Sequence, residues 1–223
     1  MNNIIKSKRN VNERIISDKT YYLTIAATLF FGFLINAIEV IFFADQIRQI
    51  NPVVFFIIYF VGALGGVLLN VFSTKPALSF IGYLLVVLPL GMLLSLIVPQ
   101  ASFSAVRSAF LVTTFLTVIF GVLAIVYPKV FYSIYTVISI ALIIALLYQI
   151  VTIFVPIGGV YWGVNNLIDW VIVILFCCYI GFNISAASRR EKTLDSAIDS
   201  ACALYVNIIN VFVRLIAIFS RRR

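Results

Sequence analysis

The sequence contains no histidine, only three cysteines and few charged residues, and each shortage excludes a class of chemistry. Without histidine, the chain lacks the usual zinc ligand and the usual general base of an enzyme. The three cysteines, Cys177, Cys178 and Cys202, cannot all be paired and fall inside apolar runs. They are therefore expected to be free buried thiols rather than a disulfide framework. No cofactor is predicted.

Charged residues make up 11% of the chain and hydrophobic residues make up 63%. A soluble domain has about 25% charged and about 45–50% apolar residues, so this composition is typical of an integral membrane protein. The net charge of +8 lies in the tails and at loop edges rather than on one face. It therefore indicates membrane topology and contact with anionic lipid, and no nucleic-acid partner is expected.

Seven apolar runs are long enough to cross a bilayer, which requires about 20 mostly apolar residues. They are residues 21–43, 53–73, 77–98, 105–127, 130–155, 164–186 and 200–219. The first run is too long for a signal-peptide core and lacks a small-residue cleavage site, so it is expected to be retained. The segments between the runs are mostly short, which predicts antiparallel neighbouring helices without a soluble domain.

The predicted fold is therefore an all-α integral membrane protein with seven transmembrane helices. A basic cytoplasmic tail (1–20) precedes the seven-helix domain (21–219), and a short basic tail (220–223) follows it. Lysine and arginine residues concentrate in the segments that are cytoplasmic when the N-terminus is inside, as in multi-pass proteins of the plasma membrane. These residues are Lys6, Lys8, Arg9, Arg14, Lys19, Lys75, Lys129, Arg189, Arg190 and Lys192. Only Arg48 and Arg107 fall in the predicted outer loops.

The basic tail 220–223 disagrees with this orientation, because seven crossings place it outside. A re-entrant last segment would return it to the cytoplasm. Seven crossings are favoured, because the run 200–219 is long enough to span and a terminal basic triplet is a weak determinant.

Two patterns concern helix packing. Gly62, Gly65 and Gly66 in the second run have the spacing that lets two helix backbones approach closely. Tight packing within one molecule is favoured over a dimer interface. In the third run, Pro89 is expected to kink the helix.

Three acidic residues lie near the predicted outer ends of their helices. Glu39 and Asp45 belong to the end of the first helix, and Asp169 lies near the start of the sixth. Ionisable groups inside a membrane often mark ion pathways, so these residues are candidates for an outer vestibule that attracts ions. Alternatively, each carboxylate reaches the interface, where it costs little. Neither reading identifies a metal site.

Four polar side chains interrupt the last two apolar runs. Asn207, Asn210 and Arg214 recur at i, i+3 and i+7, on one face of the seventh helix. Asn183 lies in the sixth helix at a similar distance from the connecting loop, so an antiparallel hairpin places it at the depth of Asn207. From polarity alone, interhelical hydrogen bonding worth about 0.6 kcal/mol per contact is the favoured explanation.

The same residues carry a resemblance to the Bax inhibitor family of seven-helix membrane proteins, also called the transmembrane Bax inhibitor motif family. LYVNIINVF (204–212) resembles the family pattern LYLDIINLF, and YIGFNIS (179–185) resembles the YxxYD segment that closes the sixth helix. The interval between the two motifs and the run AFLVTTFLTVIFG (109–121) in the fourth helix also fit. The resemblance covers nearly the whole chain, although only the two terminal motifs are specific.

The resemblance implies a central seventh helix surrounded by the other six. It also implies a calcium leak channel that senses pH, in which two hydrogen-bonded aspartates latch the pore. Two close carboxyls share a proton, because a second negative charge is costly beside the first, and losing that proton opens the latch. In this sequence both matching positions are asparagine, Asn183 and Asn207. Amides can still form hydrogen bonds but cannot ionise, so the expected latch is neutral and weakly or not pH-gated.

Two functions remain in competition. The leading hypothesis is a calcium or other cation leak channel with a neutral latch formed by Asn183, Asn207, Asn210 and Arg214. The alternative is a non-conducting regulator that binds a membrane protein, such as a membrane-bound protease, through the basic N-terminal tail or the loop SRREK (188–192). Intramembrane aspartyl proteolysis is set aside, because the positions that would supply its two acids are amides. The chain is therefore not expected to be an enzyme.

The predicted topology leads to a protease-protection experiment. A tag attached after residue 223 is expected to be cleaved by protease added to intact cells, and a tag before residue 1 is expected to be protected. Protection of both tags would show that the last segment does not cross the membrane.

Overall fold

The computed structural model describes residues 14–154 and 162–221 of the chain. Residues 1–13 of the predicted N-terminal tail, the loop 155–161 and residues 222–223 of the C-terminal tail lie outside the described residues. Throughout the described ranges the regular structure is helical. Seven helices in these ranges are long and apolar enough to cross a membrane. The predicted all-α fold of seven transmembrane helices is confirmed.

The helices are numbered α1 to α7 in chain order. Their bounds are Asp18–Arg48 (α1), Pro52–Phe72 (α2), Pro76–Ile97 (α3), Phe103–Val126 (α4), Pro128–Phe154 (α5), Trp162–Arg189 (α6) and Leu194–Ser220 (α7). Three of them begin with proline, whose fixed φ suits the first helical position and whose missing N–H is not needed there. Helix α1 contains a five-residue π-helical turn at Glu39–Phe43.

The two ends of the chain show how capping residues set the helix limits. Helix α1 begins at Asp18, inside the predicted tail 1–20, because the Ser17 side chain accepts a hydrogen bond from the Thr20 N–H at 3.2 Å. Helix α7 begins at Leu194 rather than at residue 200. Thr193 and Ser196 exchange side-chain and backbone hydrogen bonds, an arrangement typical of a helix N-terminus.

The helices divide between two compact units. The first unit comprises the described part of Met1–Ala101 together with Ala186–Val206. The second unit comprises Ser102–Ser185 and Asn207–Arg223 within the described ranges. Helix α7 therefore supplies its N-terminal half to the first unit and its C-terminal half to the second.

Within the first unit, α2 and α3 pack at close range through glycines. A Cβ atom on Gly66 would lie 2.5 Å from the Gly82 carbonyl oxygen, and one on Gly62 would lie 2.7 Å from the Pro89 ring. Nothing lies within 4 Å of a Cβ placed on Gly65. The predicted packing role within one molecule is confirmed for Gly62 and Gly66. Helix α3 continues through Pro89, and the kink expected there remains a prediction.

Helix α7 is a single helix of 27 residues, which corresponds to about 40 Å and exceeds the thickness of the hydrocarbon core. Its length favours a full crossing over the re-entrant alternative. The helix is buried on more than one side. Tyr205 and Ile209 lie on one face, Asn207 lies on the opposite face, and all three residues are buried. The central position implied by the resemblance remains a prediction.

The glycine contact predicts the effect of adding one methyl group. Gly66→Ala is expected to lower the free energy of unfolding by about 1–3 kcal/mol, because the new Cβ meets backbone atoms of α3 that cannot rotate away. Gly65→Ala, one residue earlier on the same helix, is the matched control and should be neutral or slightly stabilising. Thermal unfolding in detergent micelles measures both. Equal destabilisation by the two changes would contradict the packing geometry.

Candidate functional site

Asn183 lies on a segment of α6 that is anchored to α4 and α5 in the second unit. The Tyr179 hydroxyl donates to Ser139 Oγ at 2.6 Å, and the Ser185 hydroxyl donates to the Ala124 carbonyl oxygen at 3.1 Å. The Phe182 ring stacks on Tyr135 with centroids 4.1 Å apart. Because these contacts flank Asn183 on both sides, the rotation of α6 about its own axis is well defined at this position.

The asparagines of the proposed latch differ in exposure. Asn207 is 7% exposed, and its neighbours at i−3 and i+4, Leu204 and Val211, are also buried. Asn183 and Asn210 are partly buried. Direct contact between Asn183 and Asn207 remains a prediction.

Asp169 and two arginines form an ion cluster in the second unit. Asp169, near the start of α6, is 3% exposed. Its Oδ1 lies 2.9 Å from Arg214 Nη1, and its Oδ2 lies 2.5 Å from Arg221 Nη1. Each carboxylate oxygen thus accepts one charge-assisted hydrogen bond, one from Arg214 in α7 and one from Arg221 directly after this helix. Two guanidinium groups compensate the buried negative charge.

The two contacts of the ion cluster can be compared with the register expected for the α6–α7 hairpin. Asp169 lies 14 residues before Asn183, and its partner Arg221 lies 14 residues after Asn207. In an antiparallel pair of helices, equal intervals from one contact lead to another position at matched depth. The Asp169–Arg221 contact thus matches Asn183 with Asn207, whereas the Asp169–Arg214 contact matches Asn183 with Ser200 by the same count. Matched depth of the two asparagines remains a prediction.

Sequence reasoning did not connect Asp169 with Arg214. Arg214 was grouped with the latch asparagines and Asp169 with the outer vestibule, whereas the structure pairs them. The hairpin register that matches Asn183 with Asn207 matches Asp169 with Arg221, so it would not have found the pairing with Arg214. The vestibule itself remains a prediction. Asp169, one of the acids proposed for the vestibule, is already neutralised by arginines. Asp45 has a side chain that is 89% exposed and forms only a 3.8 Å ion pair with Arg48.

Sequence reasoning also missed a buried polar cluster in the first unit. The Asn36 amide Nδ2 donates to the Tyr205 hydroxyl at 2.6 Å, so α1 and α7 are joined by a hydrogen bond between buried side chains. The Tyr205 ring meets Tyr83 edge to face at 5.6 Å. Tyr83 in turn donates to the Thr28 carbonyl oxygen at 2.8 Å. The detectable signal was an asparagine within an apolar run, three residues before Glu39.

The basic connection between α6 and α7 is occupied by contacts within the first unit. Lys192 Nζ lies 4.4 Å from the centre of the Tyr21 ring and donates to the Ala187 carbonyl oxygen at 3.3 Å. Arg190 donates to Ser200 Oγ at 3.3 Å. A cation near the C-terminus of a helix stabilises its last carbonyl groups, so these contacts hold the hairpin loop against α1 and α7.

Clusters of acidic, cysteine or histidine side chains were sought as candidate metal sites in the part of the chain that the structure describes. No group of three or more such residues is placed there to hold a metal ion. The cysteines that the sequence placed in apolar runs are free thiols, with Cys177 and Cys202 buried.

A comparison with models of protein families identifies the family of the chain. The model of the protein family described as inhibitor of apoptosis-promoting Bax1 matches residues 13–223. This range contains all seven helices, both asparagine motifs and the ion cluster. No curated protein matches the chain.

The ion cluster predicts that neutralising Asp169 markedly destabilises the folded protein. Asp169→Asn is expected to lower the free energy of unfolding by about 2 kcal/mol, because two partly buried guanidinium groups lose their counter-charge. Asp45→Asn is the matched control, since the exposed pair with Arg48 should contribute little. Thermal unfolding in detergent micelles compares the two. A loss of stability in Asp45→Asn equal to that in Asp169→Asn would contradict this assignment.

Proposed function

Because this chain belongs to the Bax inhibitor family, we propose that it is a cation leak channel of the plasma membrane, permeable to calcium, with a latch that is not controlled by pH. The latch consists of Asn183 and Asn207, with Asn210 and Arg214 on the following turns of α7. The N-terminus is cytoplasmic in this proposal.

The single observation that carries the proposal is the environment of Asn207. Asn207 and Asn183 are the two positions at which the family resemblance expects acids, and the proposal places them at matched depths on α7 and α6. Asn207 is also buried in a helix that is otherwise strongly apolar at this level. A buried amide in a membrane needs a hydrogen-bonding partner, and a second amide at the same depth can both donate and accept.

The chemistry of the two amides explains why the latch should be insensitive to pH. A carboxyl pair changes charge when its shared proton leaves, and the resulting repulsion separates the helices. An amide pair has no such proton. It preserves a hydrogen-bonded contact between α6 and α7 but offers no group that titrates there.

The alternative function is a regulator that binds a membrane protein. The contacts within the hairpin loop support it less well than they would if the basic side chains were free to bind a partner. Lys192 is engaged by Tyr21 and by the end of α6, and Arg190 is engaged by Ser200. A partner that docks on these two cations would have to break contacts that hold the loop in place. Co-purification of a membrane protein together with the absence of calcium flux would favour the alternative.

The proposal predicts the pH dependence of calcium flux. Calcium entry into dye-loaded liposomes containing the purified protein should be nearly constant from about pH 6 to 8, because the latch has no carboxyl pair. The double change Asn183→Asp with Asn207→Asp should introduce a pH-dependent step, since two facing carboxyls share a proton. Each single change should behave differently from the double change, because one carboxyl beside an amide has no like charge to repel it and mainly desolvation favours its protonated form.

Asn210→Asp is the matched control, since it adds one carboxyl to the same helix outside the proposed pair. Glu39→Gln should be measured in parallel, so that titration of this acid is not mistaken for an effect of the latch. Absence of calcium flux at every pH would reject the channel. A steep response in the parent that persists in Glu39→Gln, or a double variant as flat as the parent, would show that the asparagines serve only as packing contacts.

A further inference from the structure

Two buried oxygen atoms of α1 have no hydrogen-bonding partner. They are Asn36 Oδ1 and Glu39 Oε2, and Asn36 as a whole is only 3% exposed. Residues at i and i+3 lie on the same face of a helix, so the two side chains project together. A buried acceptor without a donor costs free energy, and two neighbouring acceptors also repel each other.

Both oxygen atoms converge on Gly91 of α3. A Cβ atom at Gly91 would overlap Glu39 Oε2 and would lie 2.7 Å from Asn36 Oδ1. The missing side chain of this glycine therefore provides the space in which the carboxylate lies beside the amide oxygen. Any larger residue at this position would displace the Glu39 carboxylate.

The protein backbone and a tyrosine position the two groups. Glu39 is the first residue of the π-helical turn in α1, and such turns occur frequently at functional sites. Asn36 Nδ2 donates to the Tyr205 hydroxyl at 2.6 Å, which directs Asn36 Oδ1 towards the carboxylate. Tyr205 is itself fully buried against Tyr83. The pair of oxygens is thus held by three helices of the first unit.

Among the residues that the structure describes, no positively charged side chain forms an ion pair with Glu39. The titratable groups that face it through this cluster are the hydroxyls of Tyr205 and Tyr83 and the thiol of Cys202, all uncharged at neutral pH. A partly buried carboxylate in a membrane needs a compensating positive charge.

We propose that Asn36 Oδ1 and the Glu39 carboxylate, opposite Gly91, bind one sodium ion. Carboxylate and amide oxygens are hard ligands suited to such a cation. A single carboxylate balances a single positive charge, whereas a divalent ion would leave a net positive charge in a medium of low dielectric constant. A proton on Glu39 competes with the ion. The site does not depend on conduction by the protein.

Stability in detergent micelles tests the site without any measurement of flux. The purified protein is unfolded thermally in sodium chloride and in N-methylglucamine chloride of equal ionic strength. Sodium is expected to raise the melting temperature of the parent by a few degrees, because a ligand that binds only the folded state stabilises it. The sodium concentration that gives half of this effect should increase when the pH falls from about 8 to about 6, since protons compete for the carboxylate.

Two pairs of variants separate the site from general effects of salt. Glu39→Gln removes the charge and Gly91→Ala fills the space of the carboxylate, so both should lose the sodium effect. Asp45→Asn and Gly65→Ala are their matched controls and should retain it. Each variant is first checked for a single folded species by size-exclusion chromatography.

Three outcomes would overturn the proposal. One is an equal melting temperature of the parent in both salts. This result would fit a rotated Asn36 amide that donates to Glu39 and accepts from Tyr205, an arrangement that needs no ion. The second is a sodium effect that survives in both Glu39→Gln and Gly91→Ala. The third is stabilisation of the parent by acid alone, with no dependence on sodium at about pH 8, which would assign the site to a proton.

Discussion

The structure depends on one constraint: in the hydrocarbon core of a membrane, water cannot satisfy the polar side chains. Each such side chain must find its partner within the protein or remain at a cost of a few kcal/mol. The apolar residues provide little direction, because lipid tails are as apolar as leucine. The positions of the polar residues therefore carry much of the specificity with which these helices associate.

Helix α7 shows this constraint most clearly. In the first unit, its Tyr205 accepts a hydrogen bond from Asn36, and its Asp195 accepts one from Ser79 at 2.5 Å. In the second unit, its Arg214 and the following Arg221, directly after the helix, bind the two oxygens of Asp169. A helix that receives polar contacts along its whole length cannot slide or rotate without breaking several of them. This explains why the last apolar run contains so many polar residues.

Small residues complete the arrangement by allowing close approach. The contact of Gly66 with the backbone at Gly82 brings α2 against α3, and the open face at Gly91 admits the Glu39 carboxylate. The two glycines serve different purposes, one in packing and one in accommodating a polar group. Their difference is visible only from the atoms that surround them, because each is simply a glycine in an apolar helix.

The sequence by itself determined the class of the protein, the number of membrane helices and the approximate ends of most of them. Length and hydrophobicity decide whether a segment can cross a bilayer, and both are local properties. The motifs around Asn183 and Asn207 likewise indicated the family, which the match over residues 13–223 confirmed. Only the start of α7 was substantially misplaced, since its polar first turns lowered the hydrophobicity on which the prediction relied.

The tertiary structure alone decided which polar residues are partners. Asp169 pairs with Arg214 and Arg221, and Asn36 pairs with Tyr205, across 45 to 169 residues of chain. Hydropathy assigns a depth to each residue but not the direction in which its side chain points, and pairing depends on the rotation of each helix about its axis. That rotation is set by packing and by polar contacts among several helices together, so it cannot be deduced from any one of them.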